Sequence, residues 1–295
     1  MHGFTSTFIS APDGLRLHAR CCGRRSAPAL PLVCLPGLTR TAADFDALAA
    51  ALANDPNHPR AVIAVDYRGR GESGYDRDPS NYSLQVELND VLAVGAALDV
   101  VPAVFIGTSR GGILAMLLGA IRPTALAGVV LNDIGPLIEP KGLMRIKGYV
   151  GKLPQPRNFQ EAADLLRRLF DAQFPKLGPD DWLANARRSF KQENGVLVPT
   201  YDVKLAKTLD GVDFERPLPP LWREFDALAH IPLMVIRGAN SDLLSMSTVE
   251  AMRARRAGME FLEVPDQGHA PLLAETAVIA RVREFAERCD AAHAA

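Results

Sequence analysis

The sequence predicts an α/β chain: a doubly wound, mostly parallel eight-stranded sheet interrupted by a helical insertion. Three observations predict it. Short β-rich apolar runs recur, each followed by a turn and a helical stretch. The pentapeptide Gly107-Thr108-Ser109-Arg110-Gly111 stands where one such run meets a helix. Residues 135–228 abandon the alternation in favour of amphipathic segments punctuated by Pro140, Pro154, Pro156, Pro175, Pro179, Pro199 and Pro217.

The strands come first. Residues 6–10 and 15–20 read as a hairpin around Asp13-Gly14, a strong turn pair. Five buried-strand runs follow, PLVCL at 31–35, AVIAV at 61–65, AVFIG at 103–107, GVVLN at 128–132 and PLMVI at 232–236. The alternating EFLEV at 260–264 reads as a strand nearer the sheet edge. Helices fit between them. Thr41 with Asp44 resembles a capping box ahead of Phe45, Leu48 and Leu52, and Ser83 caps a helix with Leu84, Leu88, Val91 and Leu92 inward. Ser247 with Glu250 starts another helix that Gly258 ends. The last helix carries Ile279, Val282, Phe285, Ala286 and Cys289 at helical spacing. The predicted organisation is a core of residues 1–134 and 229–295, with 135–228 as an inserted cap too long to be a plain connection.

Composition excludes several classes of function. With 48% apolar and 23% charged residues the chain is globular rather than disordered. A formal net charge of -1 gives no long-range attraction for nucleic acid or an anionic membrane. Arg253, Arg255 and Arg256 form the densest basic cluster and read as a solvated helix face. Cys21, Cys22, Cys34 and Cys289 fit no metal or haem spacing, so no metal is expected. The opening MHGFTSTFIS lacks a basic segment followed by an apolar one, and no apolar run approaches the roughly 20 residues of a membrane helix. A reducing cytoplasm is the expected compartment. No G-x-G-x-x-G follows the first parallel strand, so no dinucleotide cofactor is expected either.

The chemistry centres on Ser109. A G-x-S-x-G pattern lets a serine occupy a tight strand-to-helix turn, because flanking glycines remove side chains that would clash there. The bare pattern is weak; between AVFIG and the helical ILAMLLGA it becomes specific. A serine nucleophile needs a base. His2 and His293 are terminal, His18 belongs to the hairpin, and His58 and His230 precede strands at the opposite sheet edge. His269 alone follows the carboxyl end of a strand. The imidazole needs an orienting carboxylate. Asp242, just after PLMVIRG, is preferred, because the order Ser…Asp…His with the acid after the penultimate strand suits such a sheet. Asp133, ending GVVLN at the same edge, is the competing candidate.

Together these motifs resemble an α/β-hydrolase with a helical cap, over nearly the whole chain. Leu35-Pro36-Gly37-Leu38 stands where that family carries its oxyanion loop, and Asp66-Tyr67-Arg68-Gly69-Arg70-Gly71-Glu72-Ser73 is similar to its D-x-R-G-x-G-x-S turn. The resemblance implies the backbone N–H groups of Leu38 and Arg110 as oxyanion donors, and a bracing role for Arg68 through Ser73. Pro36 departs from the family, many of whose members have His there, so the loop must be supported differently. Arg40 and Arg110 are candidates for an anionic substrate or for a solvent-facing role.

The expected function is a cofactor-free serine hydrolase of a small, largely apolar carboxylic ester, with cap Trp and Phe side chains forming the pocket. The competing readings are a lactonase, a carbon–carbon bond hydrolase of aromatic ring-fission products, and a non-catalytic ligand receptor on the same fold. Serine rather than aspartate as nucleophile disfavours the dehalogenase and epoxide-hydrolase branches. Oligomeric state has no signature in the sequence.

Overall fold

The computed structural model describes residues 3–25, 28–211 and 218–294; His2 and Pro217, named above, lie outside them. Eight strands form one sheet: β1 (Phe4–Ser10), β2 (Arg16–Cys22), β3 (Leu32–Leu35), β4 (Val62–Asp66), β5 (Ala103–Thr108), β6 (Leu126–Asn132), β9 (Leu233–Gly238) and β10 (Glu260–Val264). Their order is β1-β2-β4-β3-β5-β6-β9-β10, with the β1–β2 and β2–β4 pairings antiparallel and the remaining pairings, β4-β3-β5-β6-β9-β10, all parallel. Strand order reverses around β3, so the sheet is doubly wound and its carboxyl edge opens a crevice beside β3 and β5.

Because side chains alternate across a strand, each central strand feeds two cores. On one face, Phe105, Val129, Leu131 and Val235 pack against α2 (Leu84–Ala97), α3 (Arg110–Ile121) and α8 (Met246–Arg255). On the other, Val104, Ile106, Val130, Met234 and Ile236 meet α1 (Asp46–Ala53) and α9 (Thr276–Ala294). Val278, Val282, Phe285, Ala286 and Cys289 are the buried stripe of α9, while Ile279 is only partly covered.

Helix starts test the capping expectations. Ser83 caps α2 by accepting from Val86 N–H, as the sequence predicts. Thr41 makes no side-chain cap; a short 3-10 turn, Ala42–Phe45, precedes α1, and Asp44 turns back to Arg40. Ser245, two residues earlier than expected, caps α8, and that helix ends at Arg255 rather than reaching Gly258. The basic cluster there is engaged locally. Arg255 pairs with Asp226 at 2.8 Å, Arg256 donates to the carbonyls of Leu228 and Ile231, and Arg253 covers the Phe261 ring.

Between β6 and β9 lie α4 (Pro140–Tyr149), α5 (Phe159–Phe170), α6 (Pro179–Ser189) and α7 (Trp222–Asp226). They are joined by a feature the helical reading missed, an antiparallel pair β7 (Phe190–Glu193) and β8 (Val196–Pro199). The Asn194-Gly195 turn between them, with both residues at positive φ, is the strong hairpin signal that reading passed over. Ala162, Leu165, Leu166, Trp182, Ala186, Phe190 and Leu197 give this segment its own apolar cluster. Among the described residues, no helix is long and apolar enough to cross a membrane.

Candidate active site

Ser109 sits between β5 and α3 with φ +52° and ψ -114°. Such a conformation costs a non-glycine residue on the order of 1–3 kcal/mol and survives only where its surroundings enforce it. The glycines show how. A Cβ on Gly107 would lie 2.4 Å from Gly112 N, and one on Gly111 would lie 2.1 Å from Leu35 O. The helix therefore runs so close to β3 and β5 that only glycine fits, and the sharp turn lifts the hydroxyl out of the sheet edge.

His269 follows β10 and meets the serine, with Nε2 2.9 Å from Ser109 Oγ. Its Nδ1 lies 2.7 Å from Asp133 Oδ2. The Asp133 carboxylate is fully buried and also accepts from Gly238 N–H at 2.9 Å and Ser241 Oγ at 2.5 Å. A carboxylate only accepts, so Nδ1 carries the ring proton and Nε2 is left with its lone pair toward the serine hydroxyl. The preference for Asp242 as the orienting acid is thereby corrected in favour of Asp133. Asp242 faces the insertion instead, receiving Arg145 Nε at 2.7 Å and Nη2 at 2.8 Å from α4. Burial alone would raise its carboxyl, but the Arg145 hydrogen bonds and charge outweigh that and hold it below the ordinary value. The cause is positional: β6 adjoins the nucleophile strand β5, whereas β9 lies one strand further out.

The same three atom types meet a second time. His18 Nδ1 lies 2.7 Å from Asp66 Oδ2, and its Nε2 lies 2.9 Å from Ser6 Oγ. Ser6, however, sits exposed in the middle of the edge strand β1. Asp66 is committed to the turn, accepting from the N–H groups of Ala42 and Glu72. What separates Ser109 is its surroundings: a cavity, and close by the two backbone N–H groups expected as donors.

Those donors are the N–H groups of Leu38 and Arg110; neither is hydrogen-bonded to another described residue. Arg110 N–H opens α3, where the helix dipole favours negative charge. The Leu38 loop is close, since a Cβ on Gly37 would lie 3.8 Å from Ser109 Cβ. With Pro36 in place of histidine, the loop is held from behind. Tyr67 Oη donates to Pro36 O at 3.3 Å and Arg70 Nε donates to Leu38 O at 2.8 Å. The Arg70 bond is the kind of bracing contact expected of Arg68 through Ser73, and Tyr67, just before that span, adds the other. Arg68 instead pairs with Asp90, Asp13 and Asp76.

A cavity of about 160 Å³ opens onto Ser109 and His269. The insertion lines it with Ile146, Tyr149, Leu153, Leu166, Phe170, Phe174 and Phe190. Neither tryptophan takes part: Trp182 is buried in the insertion's own core, and Trp222 packs against Arg255 and Phe225. The expected aromatic wall is therefore built of phenylalanine and tyrosine alone. Arg40, Asp44, Asn185 and Ser189 line a polar section of the wall. Arg40 has no free charge for an anion, because Asp44 takes its Nε and Nη2, each at 2.6 Å, while Ser189 takes Nη1. Arg110 likewise points away, to Glu87 at 2.6 Å. Among the described residues no group of His, Cys, Asp and Glu side chains could hold a metal ion.

Three residues of consequence escaped the sequence reading. Asn132 donates to both Thr108 Oγ1 and Pro271 O, tying the nucleophile strand to the histidine loop. Gln173 of the insertion accepts from His269 N–H through its side chain and from Asn240 Nδ2 through its carbonyl. Glu87 lies on the inward stripe of α2, three residues after Leu84 and four before Val91. An acidic residue at such a spacing was the available signal.

Comparison with known proteins agrees with this architecture. Residues 32–282 match the family model described as the alpha/beta hydrolase family. The chain is 33% identical over 292 residues to a 3-hydroxybutyrate-oligomer hydrolase of Cupriavidus necator, covering 94% of this chain and 96% of that one. An alpha/beta hydrolase from Novosphingobium aromaticivorans superposes with a TM-score of 0.88 at 39% identity, over 98% of this chain and 99% of that one. An esterase of Mycobacterium tuberculosis shares the fold with a TM-score of 0.72 at 23% identity, over 97% and 92% of the two chains. The chain belongs to the alpha/beta hydrolase family.

Proposed function

We propose that this hydrolase cleaves small carboxylic esters through an acyl-enzyme intermediate, with Ser109 as nucleophile, His269 as general base and acid, and Asp133 as the orienting carboxylate. One observation carries the reading: the unbroken line from Ser109 Oγ through both nitrogens of His269 to a buried carboxylate. Ser109 attacks the ester carbonyl as His269 Nε2 takes its proton. The oxyanion that forms is received by the N–H groups of Leu38 and Arg110; one such donor typically contributes about 3–4 kcal/mol to the transition state. The imidazolium then gives its proton to the leaving alkoxide. Water, activated by the same nitrogen, releases the acid and restores the serine.

The cavity and kinship both support a substrate class. The cavity is small and its insertion-side wall mostly apolar, and the polar section has its one cation already neutralised. That suits a short acyl chain bearing neutral oxygen functions within the cavity. Kinship at 33% identity over nearly both chains with a hydrolase of 3-hydroxybutyrate oligomers supports esters of short hydroxy acids. The 135–228 segment is the lid of this pocket, and the core is what lies before and after it.

The test is a panel of short and medium-chain nitrophenyl esters, lactones and the 3-hydroxybutyrate dimer, run on wild type and Ser109→Ala. Ester turnover by wild type alone is expected. Equal turnover by both proteins rules out Ser109 as nucleophile, and a clear preference for lactones moves the assignment to that class.

A further inference from the structure

Glu87 has no part in the chemistry above, yet its carboxylate is completely buried on α2 and bridges two arginines. Oε1 accepts from Arg70 Nη1 at 2.7 Å, and Oε2 accepts from Arg110 Nε at 2.6 Å. Each arginine leads to a different side of the oxyanion hole. Arg70 donates through Nε to the carbonyl of Leu38, whose own N–H is one donor. Arg110 carries the other donor on its own backbone, directly after the nucleophile. Both guanidinium groups are fixed further, Arg70 Nη1 to Arg68 O at 2.7 Å and Arg110 Nη2 to Tyr82 O at 3.0 Å.

We propose that Glu87 is a positioning residue that sets the spacing of the two oxyanion donors, Leu38 N–H and Arg110 N–H, by clamping Arg70 and Arg110 with one carboxylate. The inference rests on the functional reading above. Leu38 and Arg110 lie on separate segments, a loop after β3 and the start of α3. They already touch through Gly111 and the Leu35 carbonyl, and α2 adds a second, side-chain link between them through Glu87. A carboxylate suits the role because it offers two acceptor oxygens to two cationic forks, and charge-assisted bonds in a dry interior are short and stiff. Burial by itself pushes the Glu87 carboxyl up, but the charges of Arg70 and Arg110 outweigh it and hold the group below the usual range. It therefore keeps both acceptors at neutral pH.

Glu87→Gln removes the charge with the shape retained, and Arg110→Met cuts one arm at a side chain that is 14% exposed. Each is expected to lower kcat by about 10–100-fold with KM within about twofold, because the loss is confined to the transition state. Inhibition by a trifluoromethyl ketone, whose adduct on Ser109 places an oxyanion in the hole, is expected to weaken by a similar factor. Arg110→Lys should recover part of the loss, and the double variant should be no worse than Glu87→Gln, since both break one clamp. A folded variant with wild-type kcat and ketone affinity, or with raised KM alone, overturns the proposal. If Glu87→Gln does not fold, Arg110→Met decides the matter by the same readings. Reaction of wild type with an aryl phosphonate is the control. A wild type that neither reacts nor turns over esters sinks the functional reading itself, whereas a reactive wild type with unchanged variants sinks only the clamp.

Discussion

The Asp133 carboxylate and the His269 imidazole meet at 2.7 Å behind Ser109, with Asp133 fully buried and bound by two further donors. That environment fixes the position of the acid. An acceptor held by Gly238 N–H and the Ser241 hydroxyl is already arranged before the imidazolium forms, so little reorganisation accompanies proton transfer.

The two aspartates should therefore respond very differently to amidation. Asp133→Asn removes the acceptor that fixes the histidine tautomer, and a kcat loss on the order of 10⁴-fold is expected. Asp242→Asn leaves that pair intact and should cost less than about tenfold, through the insertion alone. Steady-state kinetics on both variants with one nitrophenyl ester settles it; a greater loss from Asp242→Asn restores the assignment made from sequence.

The duplicate Ser6–His18–Asp66 arrangement makes a second comparison. Exposed on an edge strand and outside the cavity at Ser109, Ser6 should remain unreactive despite its 2.9 Å contact to an imidazole. Mass spectrometry after treatment with an aryl phosphonate should find the adduct on Ser109 only, and Ser6→Ala should keep wild-type kcat. An adduct on Ser6 would show that the histidine–carboxylate pair suffices without the surroundings.

Gly111 offers a test of the turn. An alanine Cβ there would stand 2.1 Å from Leu35 O, a backbone atom of the central strand β3, so relief must come from moving α3 away from the sheet. Gly111→Ala is expected to destabilise the protein by about 1–3 kcal/mol and to cut kcat, because the same movement displaces Arg110 N–H. Unchanged melting temperature and rate would mean that the elbow is softer than its packing implies.

The Arg145–Asp242 bridge joins α4 to the loop after β9 and has a pH signature. Its carboxyl is held below the ordinary aspartate value. The stabilisation is therefore present in full above the unfolded value, about 3.9, and is lost as pH falls through the lower folded one. Solvent screening of this partly exposed pair limits it to roughly 1 kcal/mol. The melting-temperature gap between wild type and Asp242→Asn should be constant from pH 7 down to about 5 and close below about pH 4. A gap that widens on acidification contradicts the sign.

The sequence by itself determined the succession of elements that carry the site: where the apolar runs of the large sheet lie, that Ser109 occupies a glycine-flanked strand-to-helix turn, and that His269 alone of the histidines follows a strand at its carboxyl end. These are local facts, set by periodicity and by the steric needs of a tight turn. Only the tertiary structure decided between Asp133 and Asp242, because both end strands at one rim and differ in which neighbour each faces: a histidine beside β5, or an arginine on α4. It likewise decided that phenylalanines rather than tryptophans wall the cavity, and that Glu87 spans two arginines distant from each other in the chain. Partners of buried charges are chosen by how packed elements come together, and no spacing along the chain encodes that meeting.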